Sequence, residues 1–238
     1  MSPAPHPVDH PGPFVLVDDP EAPALAPDAA HHLTRVLRRR AGDPLVVGDG
    51  RGRWAPAVLA GDGAVERTGP VEAAPRPPVA VTVAFALVKG DKGDLVVQKL
   101  TELGVDRIVP FRAERSVVRW DDDRAARAVA RWRAVATSAT EQCHRPWLPE
   151  VTEVTSLAEL VAGRYGPVAL ADRDGAPPSL EHPGLAVGPE GGWSPAERDL
   201  PLPRVALGTH VLRAETAALT AGALLTALRD GGVGPRCT

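Results

Sequence analysis

The sequence has little cysteine and no long apolar segment. Its 238 residues include two cysteines, Cys143 and Cys237, and these form no C-x-x-C pattern, so neither a disulfide framework nor a zinc site is expected. No stretch approaches the length of a membrane span. The start, MSPAPHPVDHPG, lacks the basic and apolar regions of a secretory signal. We therefore expect a cytoplasmic protein without membrane contact.

An excess of positive charge is also missing. The formal net charge is −3, which excludes binding of nucleic acid through overall charge, so any basic surface must be local. Only three of the 27 basic residues are lysines, Lys89, Lys92 and Lys99. Arginine accompanies heavy use of alanine and proline, as in GC-rich genomes, and its abundance alone is weak evidence of RNA binding.

Several common functional motifs are absent from the sequence. There is no G-x-x-x-x-G-K-[ST] phosphate loop and no G-x-G-x-x-G after a strand, which excludes the ordinary nucleotide-binding fingerprints. There is no G-x-S-x-G nucleophile elbow either. His144 and His210 have no spaced cluster of carboxylates or cysteines around them, so we expect no metal.

A proline-rich segment, AAPRPPV (73–79), divides the chain into two patterns. Before it, short strand patterns lie at 14–17, 44–50 and 53–60. One helix is predicted over 27–43, with Asp28 as its N-cap and Arg38, Arg39 and Arg40 at its C-terminal end, where the helix dipole favours cations. This pattern predicts a small β-rich domain over residues 1–74.

The rest of the chain alternates between strand and helix patterns. Strands are predicted at 79–87, 106–111, 166–172, 184–189 and 204–208, and helices at 92–105, 123–143, 194–200 and 214–232. The helix at 92–105 is predicted from the spacing of Leu95, Val96, Lys99, Leu100 and Leu103. The alternation predicts an α/β domain over residues 75–238 with a mainly parallel sheet.

Two loops in this domain follow buried strands, where open α/β sheets bind ligands. In VGPEGGWSP (187–195) the glycines permit close backbone approach, and Ser194 and Glu197 form a capping box for the next helix. In ALGTHVLRAETA (206–217), Arg213 precedes Glu215 in the first helical turn. The alternative for the first loop is a plain strand-to-helix turn, which would not need Glu190 between glycines. The alternative for the second is an ordinary helix cap with an exposed arginine.

Together, LAVGPEGGWSPAE (185–197) and ALGTHVLRAETAALTA (206–221) resemble the bacterial 16S ribosomal RNA uracil-N3 methyltransferases (RsmE-type) of the SPOUT superfamily. Further segments agree in the same order, so the resemblance spans nearly the whole chain: HHLTRVLR (31–38), KGDKGDLVVQKLTELGV (89–105), ERSVVRW (114–120) and ATEQCHRPWLPEV (139–151).

The resemblance implies a fold, a cofactor and partners. It implies an N-terminal PUA-like β-barrel that binds RNA and a SPOUT α/β domain with a C-terminal trefoil knot. It implies a homodimer with active sites at its interface and 16S rRNA in the small ribosomal subunit as substrate. S-adenosylmethionine would be bound in the two loops, by Gly188, Pro189, Glu190, Gly191, Gly192, Leu207, Gly208, Leu212 and Thr216.

The reaction must remove the uracil N3 proton and stabilise the resulting anion. Our candidates for stabilising that charge are Arg213 and Arg115. Glu215 or Glu141 would orient these arginines or accept the proton, and the identity of the base stays open. Asp172, Arg173 and Asp174, in the loop 170–179, depart from the family pattern, and the contacts of this loop stay open too.

RNA contacts are expected from a local basic run without an acid, which consists of Arg35, Arg38, Arg39 and Arg40. His32 and Arg145 are further candidates for RNA contact. Phosphate contacts would make binding salt-dependent, and the alternative is a solvated helix end.

Two other functions remain open. One is a non-catalytic ribosome- or RNA-binding protein with the same fold, and the other is a SPOUT methyltransferase acting on another RNA, such as transfer RNA. The presence of both GPEGG and LRAETA favours the enzyme. The length of the resemblance favours 16S rRNA.

Overall fold

The computed structural model describes residues 6–61 and 63–234, so Cys237 lies outside the described residues. The chain forms two compact units. The N-terminal unit contains Met1–Arg76 and Thr137–Leu148, and the C-terminal unit contains Pro77–Ala136 and Pro149–Thr238. No pattern in the sequence indicated that residues 137–148 would join the first unit.

The N-terminal unit is built on a five-stranded mixed sheet. Its strands are β1 (Phe14–Leu16), β2 (Pro44–Gly48), β3 (Arg53–Leu59), β4 (Val65–Arg67) and β5 (Glu72–Ala73). β1 runs parallel to β2, whereas β3 pairs antiparallel with β2, β4 and β5. The strands expected at 14–17, 44–50 and 53–60 are confirmed. β4 and β5 were not predicted, because strands this short do not show an alternation of apolar and polar residues.

The helix expected over 27–43 ends earlier than predicted. α1 (Pro27–His31) continues into one π-helical turn (His32–Val36), and Arg38 then takes a left-handed φ of 53°. The N–H of Arg39 donates to the carbonyl of Leu33 and closes this end. Arg38, Arg39 and Arg40 therefore follow the helix instead of forming its last turn. Asp28 is not the N-cap, because Ala26 occupies that position and Pro27 begins the helix.

The C-terminal unit contains a seven-stranded parallel sheet and five further helices. The strands are β6 (Thr82–Ala86), β7 (Arg107–Arg112), β8 (Glu150–Val151), β9 (Thr155–Ser156), β10 (Val168–Ala176), β11 (Gly184–Val187) and β12 (Arg204–Val205). The helices are α2 (Lys92–Glu102), α3 (Asp122–Gln142), α4 (Leu157–Val161), α5 (Pro195–Arg198) and α6 (Ala214–Arg229), and the last residues of α3 belong to the N-terminal unit.

The parallel sheet has the strand order β12-β10-β11-β6-β7-β8, with β9 also paired to β7. Its central strands are buried on both faces, as continuous apolar runs predict. Val83 and Phe85 of β6 pack with α2, α3 and α6, while Ala84 and Ala86 face the other layer, which contains α4. Because the strands of this sheet are parallel, their carboxyl ends all lie at the same edge of the sheet.

Local details of this unit differ from the sequence expectation. α2 buries Val96, Val97 and Leu100, whereas Leu95 and Leu103 are exposed, so its apolar stripe is rotated from the one predicted. β10 extends past residue 172. The short elements β8, β9 and α4 were not predicted. In the described ranges, no helix is both long enough and apolar enough to cross a membrane.

We expect Leu100→Ala to lower the free energy of unfolding by about 2–5 kcal/mol, because it opens a cavity where α2 packs on α6. Leu95→Ala, on the same helix but 42% exposed, should change it by less than about 1 kcal/mol. Urea denaturation of both variants measures the difference. Equal losses would contradict this assignment of the buried face.

Candidate active site

A cavity of about 410 Å³ lies at the carboxyl edge of the parallel sheet. Its walls come from the ends of β10 and β11, the loop after β12, and Arg115 in the loop after β7. The lining residues are Arg115, Ala171, Asp172, Arg173, Val187, Gly188, Pro189, Glu190, Gly192, Trp193, Arg198, Leu207, Gly208, His210, Val211, Leu212, Ala214 and Ala217. All of them belong to the C-terminal unit.

Trp193 holds together the strand ends that form one wall of the cavity. Its indole Nε1 donates to the carbonyl of Ala171 over 2.9 Å, and its ring stacks on Phe111 at a centroid distance of 6.0 Å. A Cβ at position 188 would lie 3.0 Å from the indole, so Gly188 allows the loop to pass closely over the ring. The side chain therefore joins the ends of β7, β10 and β11.

Glu197 fixes the loop that carries Arg115. The predicted capping box is confirmed: Ser194 Oγ accepts from the N–H of Glu197, and Glu197 Oε2 accepts from the N–H of Ser194 over 2.9 Å. Its other oxygen accepts from the N–H of Glu114 over 2.8 Å. Arg115 follows directly, and its Nη1 donates to the carbonyl of Trp193 over 3.3 Å.

Another wall is formed by an irregular part of β10. Both Ala171 and Ala176 pair with Val205, so the residues between them form a bulged arch in the strand. Asp172 lies in this arch and accepts two hydrogen bonds from Arg198 Nη2 and one from its Nε, at 2.8–3.0 Å. This charge-assisted pair holds the arch in place and accounts for the contacts of the 170–179 loop that the sequence left open.

The loop after β12 brings unpaired backbone groups to the cavity. Within the ranges that the structure describes, no backbone group of residues 207–212 hydrogen-bonds to other backbone. Leu207, Gly208 and Leu212 line the cavity. Their amide and carbonyl groups are thus available to a ligand.

One ammonium connects both glycine-containing loops. Lys92 Nζ lies 3.2 Å from Glu215 Oε1 and 3.5 Å from Glu190 Oε1. The pKa of Glu215 is lowered, first by a hydrogen bond from its own backbone N–H and, against the opposing effect of partial burial, by Lys92 and Arg213. Glu215 is therefore a carboxylate at neutral pH.

Most of the predicted cofactor residues lie together at this cavity. Those that line it are Gly188, Pro189, Glu190, Gly192, Leu207, Gly208 and Leu212, together with the predicted catalytic Arg115. Gly191 is adjacent in the first loop and approaches the carbonyl of Arg115. Arg213, Glu215 and Thr216 follow Leu212 in the chain but are not part of the lining.

The other predicted residues lie in the N-terminal unit. Glu141 accepts a hydrogen bond from the N–H of Leu16 over 3.0 Å, and burial raises its pKa against the opposing effect of that bond. The expected RNA contacts are in the same unit, and most are exposed: His32, Arg35, Arg38 and Arg40, with Arg39 and Arg145 half-buried.

Sequence reasoning missed three residues whose side chains hold the cavity walls and loops in place. They are Lys92, Trp193 and Arg198. Lys92 and Trp193 lie inside segments that carry the family resemblance, but nothing in their spacing showed what they contact. One signal for Lys92 was present, since lysine is rare in this chain.

Two family models match the chain. A family model described as an RNA methyltransferase domain matches residues 75–226, and one described as an RNA methyltransferase PUA domain matches residues 25–65. The chain is 36% identical over 215 residues to the ribosomal RNA small subunit methyltransferase E of Mycobacterium bovis, covering 82% of each chain. It is 30% identical over 230 residues to the protein of that name from Bacillus subtilis, covering 84% of this chain and 89% of the relative.

A solved structure is also similar. The ribosomal RNA small subunit methyltransferase E of Neisseria gonorrhoeae, bound to S-adenosyl methionine, superposes with a TM-score of 0.78 at 28% identity. The match covers 91% of this chain and 97% of that one.

Glu197→Ala should loosen the loop that carries Arg115, because it removes the acceptor for the Glu114 and Ser194 amides. We expect a loss of about 1–3 kcal/mol in the local free energy of opening. Hydrogen exchange of peptides covering 113–118 and 194–198 measures it. Glu181→Ala, which removes an exposed carboxylate of the same unit, is the control, and unchanged exchange in Glu197→Ala would contradict the role.

Proposed function

The chain belongs to the ribosomal RNA small subunit methyltransferase E family, and we propose that it methylates N3 of one uridine in 16S ribosomal RNA. It is an S-adenosylmethionine-dependent methyltransferase that acts on RNA of the small ribosomal subunit. The observation that carries the proposal is the cavity at the carboxyl edge. It includes residues of the two loops whose GPEGG and LRAETA motifs carry the family resemblance.

The cavity suits a nucleoside-like cofactor. Its volume of about 410 Å³ is within the range of small-molecule sites, about 300–1,000 Å³. The unpaired backbone of 207–212 offers donors and acceptors to an adenine edge and a ribose. The residues that would hold the cofactor are those predicted from the resemblance: Gly188, Pro189, Glu190, Gly191, Gly192, Leu207, Gly208, Leu212 and Thr216.

When bound, S-adenosylmethionine supplies an electrophilic methyl group on a sulfonium. The protein must align uracil N3 with that methyl and remove the N3 proton. Negative charge then develops on the uracil ring and its carbonyl oxygens. Arg115, held at the cavity wall by Trp193, and Arg213, beside the lining residue Leu212, are proposed to stabilise this charge.

The two proposed carboxylates have different environments. Glu215 has a lowered pKa and is paired with Lys92, which makes it a weak base and suits it to orient Arg213. Glu141, which belongs to the N-terminal unit, has a pKa raised by burial, and proton acceptance by it stays a prediction. Its hydrogen bond to Leu16 also gives it a structural role.

RNA binding is proposed for the N-terminal unit. His32, Arg35, Arg38, Arg39, Arg40 and Arg145 all belong to that unit, and the PUA match covers the first five. Arg38 and Arg40 are exposed and follow the π-helical turn. Arginines placed in this way would contact phosphates. The homodimer, the trefoil knot and the cytoplasmic location implied earlier remain predictions.

Methyl transfer from labelled S-adenosylmethionine tests the function. Small subunits lacking native modification and naked 16S rRNA serve as substrates, and mass spectrometry identifies the modified nucleoside. We expect N3-methyluridine at one position. Transfer only to another RNA would favour the alternative substrate, and cofactor binding without any transfer would contradict the proposed reaction.

Arg213→Ala should lower turnover about 10²–10³-fold, the usual effect of removing a group that stabilises developing charge. Its effect on the dissociation constant of S-adenosylmethionine should be much smaller. Single-turnover rates and calorimetry separate the two. Arg213→Lys keeps the charge and should retain more activity, and near-normal turnover of Arg213→Ala would refute the assignment.

A further inference from the structure

Lys92 stands where three chain segments meet. It is the first residue of α2, close behind the loop that follows β6. Glu190 lies in the loop after β11, and Glu215 lies in the first turn of α6, just behind the loop after β12. The single ammonium is within 3.5 Å of a carboxylate oxygen from each.

We propose that Lys92 is a positioning residue that clamps the two cofactor loops of this enzyme together. The inference rests on the proposed function only for the identity of the ligand. Lys92 contributes no group to the cavity lining. Its effect on the cofactor therefore passes through the loops that hold Glu190 and Leu212.

The chemistry of the three groups suits a clamp. Lysine is a compact charge with three donors, so one ammonium can serve two carboxylates from different directions. This chain uses arginine for nearly all other basic positions. Lysine at this point matches the geometry of two converging carboxylates.

Burial decides which of the two contacts is stronger. The Glu215 side chain is 14% exposed, whereas Lys92 is 35% and Glu190 is 40% exposed. Solvent and salt screen the Glu190 contact more than the Glu215 contact. The ion pair of Lys92 with Glu215 of α6 is therefore the stronger of the two. The ion pair with Glu190 is the weaker and is the one that breaks more easily.

Removal of the ammonium would do more than delete two attractions. Glu190 and Glu215 converge on the same point, so without Lys92 they repel each other. The first loop would then move away from α6. Global stability should change little, because exposed ion pairs contribute little to it.

The test compares Lys92→Met with Lys99→Met. Lys99 pairs with Glu102 on the same helix, so its loss removes a similar ion pair that involves neither loop. Calorimetry with S-adenosylhomocysteine is the first readout, because this product lacks the sulfonium charge and reports loop positions alone. We expect its dissociation constant to rise roughly 3- to 10-fold in Lys92→Met and less than about twofold in Lys99→Met.

Three further measurements distinguish a clamp from a general structural role. The dissociation constant of S-adenosylhomocysteine should change by a larger factor in Lys92→Met than the single-turnover rate at saturating cofactor. Double-mutant cycles of Lys92→Met with Glu190→Gln and with Glu215→Gln should show non-additive affinities. At about 1 M salt, where the screening length is about 3 Å, wild type and Lys92→Met should converge.

Hydrogen exchange without any cofactor tests the clamp independently of the function. The exchange rates of peptides covering 188–193 and 210–216 should be higher than in wild type for Lys92→Met and equal to wild type for Lys99→Met. Unchanged exchange, additive cycles, or equal effects of the two variants would overturn the proposal. If wild-type protein neither binds S-adenosylmethionine nor transfers methyl, the proposed function fails, and the exchange data still decide whether Lys92 holds the loops.

Discussion

The packing of Trp193 is the constraint on which the candidate site depends. Its indole donates to β10 through Ala171, stacks on Phe111 of β7 and lies under Gly188 at the end of β11. Its own carbonyl accepts from Arg115. One buried aromatic residue therefore sets the spacing of three strand ends and the position of the candidate catalytic arginine. These contacts depend on the parallel sheet, which brings the carboxyl ends of β7, β10 and β11 to the same edge.

Charged side chains around the cavity form ion pairs of opposite sign and do not create a surface of a single sign. Arg198 is bound by Asp172 on one side, and Lys92 is bound by Glu190 and Glu215 on the other. Each pair joins segments that are distant in the chain. Arg115 makes a hydrogen bond to a neutral carbonyl instead, so its charge is left for a ligand. Such an arrangement separates the groups that hold the loops from a group that can meet developing charge.

Much of the architecture was predictable because it depends on patterns of apolar and capping residues that are close together in the sequence. The apolar runs at 79–87 and 184–189, the helices at 92–105, 123–143 and 214–232, and the Ser194–Glu197 capping box each depend on neighbours within a few residues. The prediction failed where the local pattern was short or misleading. β8, β9 and α4 are too short to show a period, and the basic run after α1 looked helical although Arg38 takes a left-handed conformation.

The sequence by itself determined the parallel α/β class, the order of its elements, and the two glycine-containing loops at strand ends. Tertiary structure alone decided which residues of those loops face the cavity. It also placed residues 137–148 in the N-terminal unit and brought Lys92 between Glu190 and Glu215. The physical reason is range: hydrogen-bonding and apolar periodicity act over a few residues, whereas an ion pair between α2 and α6 joins side chains more than a hundred positions apart. No local pattern records such a contact.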